Sequence, residues 1–243
     1  MATIEFSEEQ SMLLETAADF CRKNSPLDGV RKQIEQEDSV DAAVWAEMAD
    51  LGWLGITIPE QYGGLGLSLA DAVPVVESMG RHLMGSPYIA TVLAANALVV
   101  SGSETQKNHW LPQIAAGAVA TLGLTEEDGN WRLNEVHTKG VASSGSITFS
   151  GKKCFVMDAP KASVIIVSAM IDGEAKLVLV QGDQLPDNAL TRETVIDETR
   201  RSYSLDLNGV TVPSEQILAG ADFASIEQAA LLLLTAEIAG GLA

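Results

Sequence analysis

The sequence predicts an α+β fold in three parts: an N-terminal α-helical domain over 1–117, a compact middle β domain over 118–215, and the first part of a C-terminal helical domain over 216–243. Two observations carry this. Apolar residues recur every three or four positions to about residue 117, the helical period, and every second position from about 119, the strand period. Helical spacing returns at about Asp222. The composition agrees with a folded chain, since 47% of the 243 residues are hydrophobic and 20% charged, too apolar for disorder.

The elements follow in order. Ser7-Glu-Glu-Gln10 is a capping box, its hydroxyl and amide placed to satisfy free backbone N–H groups ahead of Met12, Leu13, Ala17 and Phe20. Ser103-Glu-Thr-Gln106 repeats the device. Between them Asp41 caps a helix carrying Trp45, Met48 and Leu51, and Ser68-Leu-Ala-Asp71 one carrying Val75, Val76 and Met79. Gly85-Ser-Pro87 restarts the pattern through Ile89, Val92, Leu93 and Leu98. In the β domain Ser144-Gly145 divides two strands, and Asp172-Gly173 joins Val164–Met170 to Lys176–Gln181 as a tight hairpin. The last helix carries Ile226, Ala230, Leu233, Leu234 and Ile238 nearly all round it, a pattern that asks for burial on every side.

Charge and motif counting remove several classes of function. A net charge of −18 repels nucleic acid and acidic lipid alike. Cys21 and Cys154 lie far apart with no partner motif, which argues against a disulfide framework or a zinc site and suits a cytoplasmic location. The N-terminus has no basic segment followed by an apolar one, and the most apolar run, Ala229–Ala236, is short of the ~18 residues of a membrane span. His82, His109 and His137 are dispersed, so no metal site is expected. Gly63-Gly-Leu-Gly-Leu-Ser68 fails the dinucleotide fingerprint at Leu69 and reads as glycines at a tight crossing between helices. Neither a phosphate-binding loop nor a nucleophile elbow is present.

Three ordered segments resemble the acyl-CoA dehydrogenase family: Trp45 through Ser68, Gly102 through Gly117, and Thr199 through Pro213. The resemblance implies helices, a β-barrel or sandwich domain, and a C-terminal helical bundle. It implies FAD as cofactor, α,β-dehydrogenation of an acyl-CoA substrate, an electron-transfer flavoprotein as partner, and a homo- or hetero-oligomer. Leu122-Gly-Leu-Thr-Glu126 resembles the strand that faces the flavin, which implies cofactor contacts for Leu122, Leu124 and Thr125. Lys153-Cys-Phe-Val-Met-Asp158 resembles the segment that packs an aromatic residue and a hydroxyl against it; Phe155 takes the aromatic role and Met157 stands at the hydroxyl position.

Two departures accompany the likeness. Met157 has no hydrogen-bond donor, and the family's Gly-Ser-Asp loop is replaced by Glu127-Asp-Gly-Asn-Trp-Arg132, which places Trp131 as the candidate substrate contact. The family's catalytic carboxylate and its inter-subunit Arg fall beyond the last residue here. The expectation is therefore a truncated chain with no assignable general base and Glu237 on a polar seam, or alternatively a non-catalytic partner subunit that keeps the fold. Lys152, Lys153, Lys161, Arg200 and Arg201 are the candidate cationic patch for CoA.

Overall fold

The computed structural model describes residues 7–36 and 41–243. The first six residues, read above for a leader, lie outside them. Helices come first, strands follow, and one long helix closes the order.

In the helical part α1 spans Glu8–Asn24, α2 Leu27–Ile34, α3 Ala42–Asp50, α4 Val73–Arg81, α5 Tyr88–Ser101 and α6 Glu104–Ala115. Ser7 and Gln10 cap α1 reciprocally, each bond 3.1 Å, and the Asp41 carboxylate accepts from the Ala43 N–H at 2.7 Å to start α3. Ser103 and Gln106 do the same for α6. The Gln106 amide also donates to the carbonyls of Glu215 and Ile217, tying α6 to the chain that leaves the β domain. The capping pair Ser68–Asp71 acts one turn earlier than expected, on a 3₁₀ turn at Leu69–Ala72 that runs on into α4.

The glycine-rich segment is also placed differently. Gly63 and Gly66 adopt φ of +84° and +65°, and Gly64 lies so close over Ile58 that a Cβ would strike the Ile58 carbonyl. They form a loop folded on its own backbone, and no helix crossing involves them.

The strands are β1 Ala120–Gly123, β2 Lys139–Ser143, β3 Ser146–Ser150, β4 Lys152–Met157, β5 Val164–Ile171, β6 Glu174–Gln181, β7 Leu190–Arg192, β8 Ser202–Asp206 and β9 Thr211–Pro213. Six form one sheet in the order β1-β5-β2-β3-β9, with β6 pairing along the other edge of β5; β4-β8-β7 form a second, three-stranded sheet. β5 and β6 are joined at Asp172 (φ +53°) and Gly173 (φ +83°), the left-handed pair that a two-residue hairpin needs. Apolar side chains including Ile147, Phe149, Val156, Ile165, Val167 and Leu205 fill the space between the two sheets, while α5 and α6 pack on the opposite face of the larger one through Ala94, Leu98, Leu111, Ile166 and Leu179.

The final helix, α7, runs Phe223–Leu242 with the Asp222 carboxylate accepting from the Ser225 N–H. It crosses α4 at backbone contact: a Cβ on Gly80 would meet the Glu237 carbonyl, and one on Gly240 the Glu77 carbonyl. Only one face is covered, however. Ile226, Ala229, Leu233, Ala236 and Gly240 are buried, whereas Leu231, Leu232, Leu234, Ile238 and Leu242 are exposed. The expectation that no segment reaches span length is corrected too, because α7 is long and apolar enough to cross a membrane by length and composition, with mean hydropathy 1.3. Counting only the leucine-rich run Ala229–Ala236 missed the flanking Phe223, Ile226, Ile238 and Leu242 and the Ala and Gly positions that extend the same helix.

Candidate functional site

A cavity of about 640 Å³ opens where the three parts of the chain meet. Ile89, Ala90 and Leu93 of α5 form its floor, the exit of β1 and the bend in β4 one wall, and Ile226, Ala230, Leu231 and Leu234 of α7 the other. Leu122, Leu124, Thr125, Trp131, Phe155 and Met157 all line it. Residues separated by up to 35 positions are brought together because the chain two residues past β1 is bridged, antiparallel, to β4 at Thr125 and Cys154.

That bridge also explains how Phe155 faces the cavity. The register of β4 against β8 shifts between Lys153 and Val156, and Phe155 takes φ +55°, a strained value for an aromatic residue. Several bonds hold it there. Cys154 N–H donates to the Thr125 carbonyl at 2.9 Å, the Thr125 hydroxyl donates to the Cys154 carbonyl at 2.6 Å, and Phe155 N–H donates to the Glu193 carboxylate at 3.1 Å. Ser202 fixes that carboxylate with a 2.6 Å bond. The bulge re-aims the Phe155 ring, which the Trp131 indole stacks at 5.7 Å and 28°.

The polar end of the cavity was not anticipated as a unit. Arg200 enters between α5 and α7, forms an ion pair with Glu237, donates to the Ser86 carbonyl at 3.2 Å, and lies 4.0 Å from the Asp197 carboxylate. Burial lowers the Arg200 pKa, against the opposing pull of Asp197 and Asp158, yet a guanidinium remains charged at neutral pH. The seam expected for Glu237 is thus a specific pair, and a separation of 37 positions kept it out of any local motif. A further polar atom faces the same space: the Thr121 hydroxyl is buried, lines the cavity and has no hydrogen-bond partner.

The predicted cationic patch is not a patch. Lys152 pairs with Asp206 at the surface, while Lys153 and Arg201 are buried. Arg201 donates to the Gln33 and Gln36 carbonyls at the end of α2, at 2.5 and 2.9 Å. Lys153 reaches Glu126 at 2.6 Å and Ser168 at 2.9 Å, and Glu126 accepts from the His137 and Thr138 N–H groups, both at 2.8 Å. Burial pushes the Glu126 carboxyl up, but the bonds from Lys153 and Thr138 outweigh it and hold the pKa at about 2. This sealed pair anchors both ends of the loop that carries Trp131. No local signal marked it, because the bulge between Lys153 and Val156 breaks the alternation that would have said which lysine of β4 turns inward.

Neither thiol is poised for nucleophilic chemistry. Burial pushes Cys21 up to about 12, and burial together with the Glu193 and Glu127 charges raises Cys154. Among the described residues no cluster of His, Cys, Asp and Glu is arranged to hold a metal.

Helices, the two-sheet β domain and the returning helix thus meet around one largely apolar cavity. The family model for the acyl-CoA dehydrogenase N-terminal domain matches residues 7–118. A probable acyl-CoA dehydrogenase, YngJ of Bacillus subtilis, is 31% identical over 170 residues, covering 68% of this chain and 44% of the relative. Isovaleryl-CoA dehydrogenase from Bos taurus mitochondria is 31% identical over 172 residues, covering 68% and 40%. The solved structure of a Tcur3481-Tcur3483 steroid ACAD variant superposes with a TM-score of 0.82 at 27% identity, covering 95% of this chain and 62% of that one. Butyryl-CoA dehydrogenase from Megasphaera elsdenii gives a TM-score of 0.84 at 22% identity, covering 98% and 67%. The chain belongs to the acyl-CoA dehydrogenase family, and its matches span less than half the length of those curated relatives.

Proposed function

We propose that this chain forms the acyl-binding centre of an acyl-CoA dehydrogenase-type flavoprotein that works with FAD in the α,β-dehydrogenation of an acyl-CoA thioester. The observation that carries the reading is the cavity shared by α5, β1, β4 and α7, apolar along most of its walls, with the Arg200–Glu237 pair at one end. FAD would supply hydride acceptance from the β-carbon; the protein's part is positioning and electrostatics. The residues present fit a flavin ring in part. Phe155 offers an aromatic face, the exit of β1 a backbone edge, and Thr121 an unpartnered buried hydroxyl.

The chain's own residues perform three tasks in this reading. Ile89, Leu93 and Ile226 exclude water from the acyl chain, the bulge at Cys154–Phe155 fixes the aromatic wall, and the Arg200–Glu237 pair closes the polar end. An electron-transfer flavoprotein as electron acceptor and a cytoplasmic setting, which suits two free cysteines, belong to the same proposal. The test is an absorbance spectrum of the purified chain carried through gel filtration with added FAD, followed by anaerobic octanoyl-CoA. Retained flavin that bleaches supports the reading.

A second reading, a partner subunit without a complete active site of its own, is favoured by two observations. Met157 supplies no donor at the position where the family has a hydroxyl, and Trp131 already covers the Phe155 ring. Acyl-CoA binding without flavin retention would select it.

A further inference from the structure

The cavity's charge balance says what kind of acyl group it takes, an inference that rests on the acyl-binding reading above. Its length follows from α7: Ile226 and Glu237 both line it, and 11 residues of helix rise about 16 Å. Along that length the walls are Ile89, Leu93, Leu124, Ile226, Leu231 and Leu234, and no basic side chain interrupts them. The one cation in the lining is Arg200, and it is spent. Glu237 forms an ion pair with it, Asp197 stands 4.0 Å away, and the Ser86 carbonyl takes one of its N–H groups. Its side chain is 18% exposed and that of Glu237 24%, so both groups face the cavity more than bulk water. The lining carries three carboxylates against this single guanidinium, Asp197 and Glu237 beside it and Glu227 next to Ile226 at the far end.

We infer that the cavity selects acyl groups that end in hydrocarbon and rejects those that end in a carboxylate, and that Glu237 enforces this by keeping Arg200 engaged. A neutral chain gains burial along the apolar walls at no electrostatic cost. A terminal carboxylate has two places to go. Against the apolar wall it is desolvated without a partner; at the polar end it must displace Glu237 from Arg200 while facing the charges of Asp197 and Glu237. Rejection comes from the repulsive group as much as from the attractive walls.

The test compares octanoyl-CoA with its ω-carboxylated counterpart of the same chain length, suberyl-CoA, by isothermal titration calorimetry on the purified chain. The expected result is binding of octanoyl-CoA at least roughly tenfold tighter than suberyl-CoA. Glu237→Gln releases Arg200, so the same measurement should show suberyl-CoA binding gain about tenfold or more relative to octanoyl-CoA. Equal affinities in the unsubstituted chain, or an E237Q variant that leaves the ratio unchanged, overturn the inference alone. Failure of both thioesters to bind overturns the acyl-binding reading and this inference with it. Should E237Q not fold, the comparison of the two thioesters on the unsubstituted chain decides the matter.

Discussion

Two of the ion pairs that link distant parts of this chain, Lys153–Glu126 and Arg200–Glu237, differ in what surrounds them. Lys153–Glu126 is closed: the ammonium has a second partner in Ser168, and the carboxylate accepts two backbone N–H groups from His137 and Thr138. Arg200–Glu237 stands beside a cavity of about 640 Å³, and its surroundings add carboxylates that one guanidinium does not balance. Both are cation–carboxylate contacts, and the groups packed around each decide its use. A pair whose remaining hydrogen-bonding capacity is satisfied by protein holds a loop in place, whereas a pair that borders open space has something left to offer a ligand.

The sharpest way to break this comparison is to remove one partner of the closed pair. Glu126→Ala leaves the Lys153 ammonium buried and is expected to cost about 3–5 kcal/mol in urea denaturation. Glu126→Leu combined with Lys153→Met should recover most of that loss, because an apolar pair leaves no charge uncompensated. A single-substitution cost below about 1 kcal/mol would mean that water reaches the pair, and the contrast with Arg200–Glu237 would disappear.

Acid titration reads the same contact without a mutation. The Glu126 pKa is depressed in the folded state to about 2 from an ordinary value of 4.5. A depressed carboxylate contributes stability that is fully present above the unfolded pKa and lost as pH falls through the folded one. Stability should therefore decline between about pH 4.5 and 2, by up to about 3 kcal/mol from this group. The Glu126→Gln variant should show a correspondingly flatter acid limb when unfolding is followed by circular dichroism.

The open pair should respond less. Arg200→Met removes the guanidinium from Glu237, Asp197 and the Ser86 carbonyl, yet the groups left behind border the cavity and can be hydrated. A loss of about 2 kcal/mol is expected in the same denaturation measurement. A cost matching that of Glu126→Ala would show that this pair is as structural as the closed one.

The same contrast marks where sequence reasoning stops. Helix starts were legible because capping is local: Ser7 with Gln10, Asp41 with Ala43, Ser103 with Gln106. So was the hairpin at Asp172-Gly173, where backbone conformation and residue type coincide. The residues facing the cavity were found through family resemblance, since nothing in the spacing of Thr125 and Phe155 announces the bridge that joins them. Lys153 reads as part of a cationic patch because a lysine beside Lys152 gives no local sign that one of the two points inward. Burial there depends on Glu126, 27 residues earlier, and Arg200 likewise depends on Glu237; partners at such separations are fixed by topology alone.

The smallest expected effect is the most informative about how the cavity wall is built. Phe155 is held by its own backbone, through Cys154 to Thr125 and through its N–H to Glu193, whereas Trp131 is 66% exposed on the loop that Glu126 and Lys153 anchor. Trp131→Ala removes the stacking partner but none of the bonds that make the bulge. It should therefore cost only about 1 kcal/mol in stability. In the near-ultraviolet circular dichroism spectrum the Trp131 contribution should vanish, with the remaining aromatic signals left in place. If the variant instead loses several kcal/mol, or the rest of the aromatic spectrum collapses, the indole is what keeps Phe155 at φ +55°, and the wall belongs to the loop. In that case the closed pair would govern the cavity as directly as the open one does, because releasing Glu126 would free Trp131 and Phe155 together.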